Sequence, residues 1–276
     1  MIKIFEKVLR AHIVQHMNQN DLFNPSQHGF RSGRSCLSQL LEQYDLILNI
    51  LDEDANADVV YLDFSKAFDK VDHTIVLKKI KQLGIDGKVL QWLTSFLADR
   101  KQTVLVNGVK SEPQNVLSGV PQGSVLGPLI FLILIGDIDK DILNIFVKSF
   151  ADDTRGTKKV KTAEDVALMQ LDLEKIYKWT DDNDMKLNDV KFELLRYGPN
   201  QIIKDQTNYT SPSGSIIESK NIVKDLGILM SDNCLFKEQI ISTIEKAKNL
   251  ISWILRTFTS RSHECMITYL SYLSVV

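Results

Sequence analysis

The stretch Leu143-Asn144-Ile145-Phe146-Val147-Lys148-Ser149-Phe150 runs straight into Ala151-Asp152-Asp153-Thr154, and the shorter Val59-Val60-Tyr61-Leu62 runs into Asp63. Both runs are rich in β-branched and aromatic residues and read as strands. A carboxylate on a strand end is held by the ladder behind it and exposed at the sheet edge, where a metal ligand has to be. If the two strands are neighbours, Asp63 and Asp152 converge. Mg²⁺ takes one or two carboxylates plus substrate phosphates rather than a full protein cage. Two such ions about 3.5–4 Å apart activate an attacking hydroxyl and stabilise the leaving oxygen of an in-line phosphoryl transfer. Taken alone, Asp152-Asp153 is also ordinary turn chemistry.

Working outward, Ile4 to Met17 repeats apolar residues at helical spacing, and Asn24-Pro25-Ser26 breaks the pattern. A second helix follows its N-cap Ser35, through Leu37, Leu41, Tyr44 and Leu48. Helices are predicted over His73 to Leu83, closed by Gly84, and over Asp86 to Ala98. Asn107-Gly108 suits a type I′ hairpin. Ser124 to Ile135 reads as a buried helix, and Thr162 to Trp179 as a helix with Asp165 completing a capping box. Lys191 to Tyr197 and Asp225 to Met230 read as strands, and Lys237 to Thr257 as a long helix. The polar, turn-rich stretch Asn200 to Gly214 is the best boundary candidate. The mixed element order predicts an α+β fold.

Composition bounds the function without choosing it. The 276 residues are 44% hydrophobic and 25% charged, ordinary values for a soluble domain. The longest apolar run, Leu129 to Ile135, is far short of the roughly 20 residues that span a bilayer. The N-terminus is amphipathic and charged, unlike a signal peptide, and an intracellular protein is expected. Cys36, Cys234 and Cys265 lack metal-ligand spacing and read as reduced thiols. A net charge of −2 gives no overall pull on nucleic acid, so positive charge has to be placed locally.

Three strings then become specific together. Phe150-Ala151-Asp152-Asp153-Thr154 resembles the catalytic turn, motif C, of reverse transcriptases. Tyr61-Leu62-Asp63-Phe64-Ser65-Lys66-Ala67-Phe68-Asp69 resembles motif A, and Ser118-Gly119-Val120-Pro121-Gln122-Gly123-Ser124 resembles motif B. They occur in the family's order, and motif A continues into Val71-Asp72-His73 as in non-LTR retrotransposons. The chain is thus similar to the reverse transcriptase domain of LINE-type elements of the jockey and chicken-repeat kind.

The resemblance implies a right-hand polymerase palm with partial fingers and the start of a helical thumb. It divides the chain into partial fingers over 1–57, a palm over 58–200, and a primer-contacting strand region with a partial thumb over 201–276. It implies an RNA-directed DNA polymerase that joins dNTP to a DNA primer on an RNA template, with two Mg²⁺ ions, or Mn²⁺ in their place. Asp63, Asp152 and Asp153 would hold the metals, with the Phe64 carbonyl as an additional ligand.

Phe68, five residues after Asp63, matches the steric gate that excludes a 2′-OH; read by itself it is a core aromatic. Gln122 and Gly123 match residues lining the nucleotide and template pocket, and read by themselves they are a turn before a helix. Trp179, Met185 to Asn188 and Lys191 resemble motif D, which makes Lys191 a candidate general acid for the pyrophosphate. Phe192 replaces the family's usual Thr, and a solvated lysine is the other reading. Gln27 to Ser35 resembles a segment in which Arg31 and Arg34 hold template or phosphates, with a structural salt bridge as the alternative. Lys237, Lys246, Lys248 and Arg256 are available for phosphate contacts or are simply a solvated face.

Met1 begins just downstream of the family's usual first fingers segment, so an N-terminally truncated copy is expected. Arg155-Gly156 after the acidic turn and Gly136 after motif B are smaller departures. An inactive or domesticated remnant that only binds RNA is the competing expectation. The compartment implied is the nucleus or a cytoplasmic ribonucleoprotein; neither the template nor an oligomeric state follows from the sequence.

Overall fold

The computed structural model describes residues 2–257, 262–264 and 267; Cys265, Phe258 and the predicted end of the thumb lie outside them. The chain divides into two compact units, Met1–Asn221 and Ile222–Val276. The first unit continues past the boundary candidate Asn200 to Gly214, because Tyr209 within it is fully buried.

The first unit opens with α1 (Ile2–Gln19) and α2 (Cys36–Asp52). Ser35 caps α2 as predicted, and Ser38 completes the capping box. β1 (Asn56–Leu62) follows and is buried almost throughout. Then come α3 (His73–Gln82), whose N-cap Asp72 accepts from the Ile75 N–H, and α4 (Gly87–Leu97). Four short strands form two small ladders: β2 (Lys101–Gln102) with β5 (Gln114–Asn115), and β3 (Leu105–Val106) with β4 (Val109–Lys110). Asn107 and Gly108 both have positive φ, as a type I′ turn requires.

α5 (Gly127–Ile135) begins three residues later than predicted, since Ser124 lies in the turn before it and accepts from the Gly127 N–H. Apolar on every side, α5 is buried at every position but Pro128. Its entry is held by the buried Glu6 of α1, which accepts from the Val125 and Leu126 N–H groups at 2.7 and 3.2 Å. A carboxylate there satisfies donors that the helix itself leaves unpaired.

β6 (Phe146–Phe150) is shorter than predicted, because the Leu143 and Asn144 N–H groups go to Asp172 instead. β7 (Asp153–Val160) is a strand that apolar periodicity missed. It is polar yet buried, and several of its polar side chains are hydrogen-bonded within the fold. Thr154 shares a hydrogen bond with Ser149, Thr157 accepts from Gln43, and Lys158 donates to the Asn144 carbonyl. Gly156 packs closely against Ile145, whose Cδ1 would have to move to admit a Cβ there.

α6 (Ala163–Asp182) has the predicted capping box of Thr162 and Asp165. Lys191 closes a short 3₁₀ turn, Asp189–Lys191, so β8 is Glu193–Tyr197 rather than starting at Lys191. α7 (Gln201–Gln206) and β9 (Ser219–Lys220) complete the unit.

The main sheet has the order β6-β7-β1-β8-β9, antiparallel except for β8 with β9. Val60, Leu62 and Phe64 join one large core with α5 and α6. α2 packs against β1 and β6, with Gln43 reaching Thr157, the cross-strand partner of Val59.

In the second unit the predicted strand Asp225 to Met230 is a hairpin. β10 (Ile222–Asp225) and β11 (Ile228–Ser231) turn at Leu226-Gly227, both with positive φ. α8 (Lys237–Thr257) follows, and its Gln239 accepts from the Leu229 N–H at 2.9 Å.

Candidate active site

The strands bearing Asp63 and Asp152 are not neighbours, which corrects the simplest expectation: β7 runs between them. The carboxylates still converge, because β7 is the continuation of the acidic turn. The β1–β7 ladder ends on Leu62↔Thr154, so Asp63 and Asp153 fall opposite each other one pair further on. Both lie on the face shared by the cross-strand pair Tyr61↔Arg155, since alternate residues of a strand share a face.

Asp152 sits in the two-residue turn closed by Phe150↔Asp153. Burial raises its carboxyl above the ordinary value, against a hydrogen bond from its own backbone, and the charge of Asp63 raises it further. Asp153 is also raised, first by burial and then by Asp152 and Asp63, with Arg155 opposing. These are mutually repelling anions with every reason to take up a cation.

Among the described residues no three His, Cys, Asp or Glu side chains form a metal-holding group. The donor set nonetheless fits ions that share their coordination with phosphate oxygens and water. The Phe64 carbonyl suits the same place. The bridge Phe64↔Leu187 is made by flanking groups, Asn188 N–H to Asp63 O and Ser65 N–H to Lys186 O. That pattern turns the Phe64 carbonyl toward the β7 edge of the strand. Lys191 stands on the other side of Asp63 and donates from Nζ to Oδ2 at 3.2 Å.

Motifs A and B are locked together. The Gln122 Nε2 donates to Asp69 at 2.9 Å, and the Ser118 hydroxyl to the Asp69 carbonyl at 2.9 Å. Gly119, with positive φ, lies against the Asp69 backbone where a Cβ would clash. Gly123 also has positive φ, but its missing Cβ would face open space. Phe68 is half-buried, stacked on Phe131 at 4.4 Å and edge-on to Phe30 at 6.0 Å. Beside Gln122 an open cleft of about 930 Å³ is lined by Lys66, Lys70, Arg100 and Lys101, the local positive charge that the net charge conceals.

The two arginines of the Gln27 to Ser35 segment are engaged within the fold. Arg34 pairs with Glu42 at 2.8 Å, where His28 and Lys148 also converge. Arg31 donates to the Asn24 and Gln27 carbonyls and stacks over Phe23. Trp179 of the motif D resemblance donates to Asp137, which also pairs with Lys79, so it braces α6 against α3.

One residue at the site carried no role in the sequence reading. Gln27 is buried, and its carboxamide bonds both to the N–H and to the carbonyl of Ala151 in the acidic turn. The partners are 124 residues apart, and no local pattern announces the contact.

Residues 1–229 match the family model described as reverse transcriptase (RNA-dependent DNA polymerase). The chain is 30% identical over 248 residues to a probable RNA-directed DNA polymerase from transposon X-element of Drosophila melanogaster, covering 86% of this chain and 26% of that protein. It is 26% identical over 264 residues to the RNA-directed DNA polymerase from mobile element jockey of Drosophila funebris, covering 92% and 28%. The chain therefore spans between a quarter and a third of these relatives. Among solved structures, a telomerase from Candida albicans, determined with a fragment of telomeric RNA, superposes with a TM-score of 0.58 at 13% identity, covering 84% of this chain and 37% of that one. The fold is that of a right-hand polymerase.

Proposed function

The chain belongs to the reverse transcriptase (RNA-dependent DNA polymerase) family, and from that membership we propose that it is the catalytic core of a non-LTR retrotransposon polymerase. Its substrates are an RNA template, a DNA primer and dNTPs. The observation that carries the proposal is the convergence of Asp63, Asp152 and Asp153 at one end of the sheet, with Lys191 on Asp63.

The family works with divalent metal ions. The residues that would hold them here are Asp63, Asp152, Asp153 and the Phe64 carbonyl. Two Mg²⁺ ions, or Mn²⁺, would supply charge neutralisation at the transferring phosphoryl group and at the leaving oxygen. The chain's own groups do the rest. The primer 3′-hydroxyl gives its proton to solvent and its oxygen forms a bond to the dNTP α-phosphorus as the bond to pyrophosphate breaks. In this reading Lys191, bonded to Asp63, protonates the departing pyrophosphate. Gln122 and Gly123 border the nucleotide, and Phe68 lies where the sugar would rest. The Lys66, Lys70, Arg100 and Lys101 cleft suits the phosphates of a nucleic-acid strand.

On the same basis we assign partial fingers to residues 1–57, the palm to 58–200, and a primer-contacting region with the start of the thumb to 201–276. No helix among the described residues is long and apolar enough to cross a membrane. We place the protein in the nucleus or a cytoplasmic ribonucleoprotein, where its template and primer are.

Primer extension on an RNA template with the purified chain tests this. Extension that disappears in Asp152→Asn is the expected result. No extension alongside retained RNA binding would leave a remnant that only binds RNA.

A further inference from the structure

The catalytic turn adopts a conformation its own sequence disfavours. Of its two central residues only Ala151 has positive φ, 55°, the sign pattern of a type II′ turn, which normally places Gly first. Side chains rarely tolerate this region, so it persists only where the surroundings impose it.

Besides the hairpin ladder that closes the turn, one side chain bonds to both backbone groups of Ala151. Gln27 is 4% exposed and Ala151 5% exposed. The Gln27 Oε1 accepts from the Ala151 N–H at 2.8 Å, and Nε2 donates to the Ala151 carbonyl at 3.1 Å. The same Oε1 also accepts from the Gly29 N–H at 2.8 Å, which fixes the carboxamide plane. Gly29 has no room for a Cβ, since one would land on the Ala151 nitrogen. The backbone of this segment pairs with β6 at a single parallel bridge, Gln27↔Ser149: the His28 N–H donates to the Ser149 carbonyl at 2.9 Å and the Ser149 N–H to the Ser26 carbonyl at 3.0 Å. Arg31 braces it from behind through the Gln27 carbonyl at 3.3 Å.

We propose that Gln27 is a positioning residue for the metal site: its carboxamide holds the Ala151 peptide in the left-handed conformation from which Asp152 is presented to a divalent cation. The proposal rests on Asp152 being a metal ligand. A glutamine is required on geometric and chemical grounds. Asparagine is one carbon too short to span the peptide, and glutamate has no proton for the Ala151 carbonyl. Methionine has the length and neither bond.

Gln27→Met is therefore the informative variant, read by Mn²⁺ titration followed by electron paramagnetic resonance and by hydrogen exchange. The expected result is Mn²⁺ binding weakened at least tenfold, with the amides of 150–153 exchanging at least tenfold faster and those of β1 unchanged. Adding Ala151→Gly to Gln27→Met restores most of the Mn²⁺ affinity, because glycine takes positive φ without support.

Mn²⁺ affinity within twofold of the parent chain would overturn the proposal. So would a loss that Ala151→Gly does not restore and that comes with faster exchange throughout β1 and β7. A double variant that does not fold makes Gln27 a stability residue and counts against the proposal too. A parent chain that binds Mn²⁺ but extends no primer would sink the polymerase reading and leave this test intact. In a chain that binds no Mn²⁺, exchange at the turn and its response to Ala151→Gly decide.

Discussion

Lys191 reaches Asp63 across the end of the sheet, Nζ to Oδ2 at 3.2 Å, from a 3₁₀ turn 128 residues further along the chain. The lysine side chain is 64% exposed, so the contact itself contributes little to stability. On the proposed reading its significance is chemical: an exposed ammonium beside the anionic cluster would be the proton donor to a leaving pyrophosphate.

Replacing Lys191 separates its two readings. A general acid contributes about 10²–10⁴-fold in rate. Lys191→Ala should then lower kcat by roughly 10²-fold, with KM for dNTP little changed. Lys191→Arg should do no better, because a guanidinium does not give up its proton at working pH. Single-turnover extension measures this; kcat within twofold of the parent in both variants would make Lys191 a solvated lysine.

Asp152→Asn should abolish extension and stabilise the metal-free protein. Burial and the charge of Asp63 both disfavour the Asp152 carboxylate in the folded chain. A carboxyl raised on folding weakens the native state at neutral pH, and neutralising it removes that penalty. Thermal unfolding in a chelator should show a higher Tm for the variant than for the parent chain. A lower Tm would mean that the carboxylate is a structural hydrogen-bond acceptor instead.

Asp172 carries the opposite sign. Burial works to raise its carboxyl, but Lys175 and the Asn144 and Leu143 N–H groups outweigh burial and hold it below the ordinary value. This stabilisation is fully present above the unfolded value of about 3.9 and is lost as pH falls through the lowered folded value. Asp172→Ala leaves buried donors unpaired and should cost about 2–3 kcal/mol at pH 7. Urea unfolding should show the gap between parent and variant shrinking by pH 3; an unchanged gap would exclude the charge as its source.

What the sequence disclosed follows from how each contact is encoded. Asp63, Phe68, Gln122 and Asp152 sit in contiguous strings whose order and spacing are visible at once. Apolar helices and their caps at Ser35 and Thr162 are equally local, and the structure has both. β7 was missed because Thr154, Arg155, Thr157 and Lys158 are buried polar residues, and alternation of apolar residues has nothing to register there. The roles of Glu6 and Gln27 were missed for a different reason. Each is one polar side chain meeting backbone groups more than a hundred residues away, so its partner exists only after folding.

Phe68 is where packing and specificity have to be told apart. Its ring stacks on Phe131 at 4.4 Å with an interplanar angle of 24°, and Phe30 meets it edge-on at 88°. This clamp leaves the ring little freedom, which suits a gate that rejects a 2′-OH by contact. It also suits a half-buried core aromatic, so loss of stability alone decides nothing. Phe68→Ala should cost about 2 kcal/mol, below the roughly 3–5 kcal/mol typical of a fully buried phenylalanine. The decisive quantity is the ratio of kcat/KM for dNTP to that for the matching rNTP. Phe68→Ala should lower it by about 10–200-fold, the range that pocket shape alone can supply. Phe30→Ala removes the edge-on support and keeps the ring, so it should lower the ratio by less. If Phe68→Ala loses stability while the ratio stays put, the ring is a core aromatic and sugar selection lies elsewhere in the cleft.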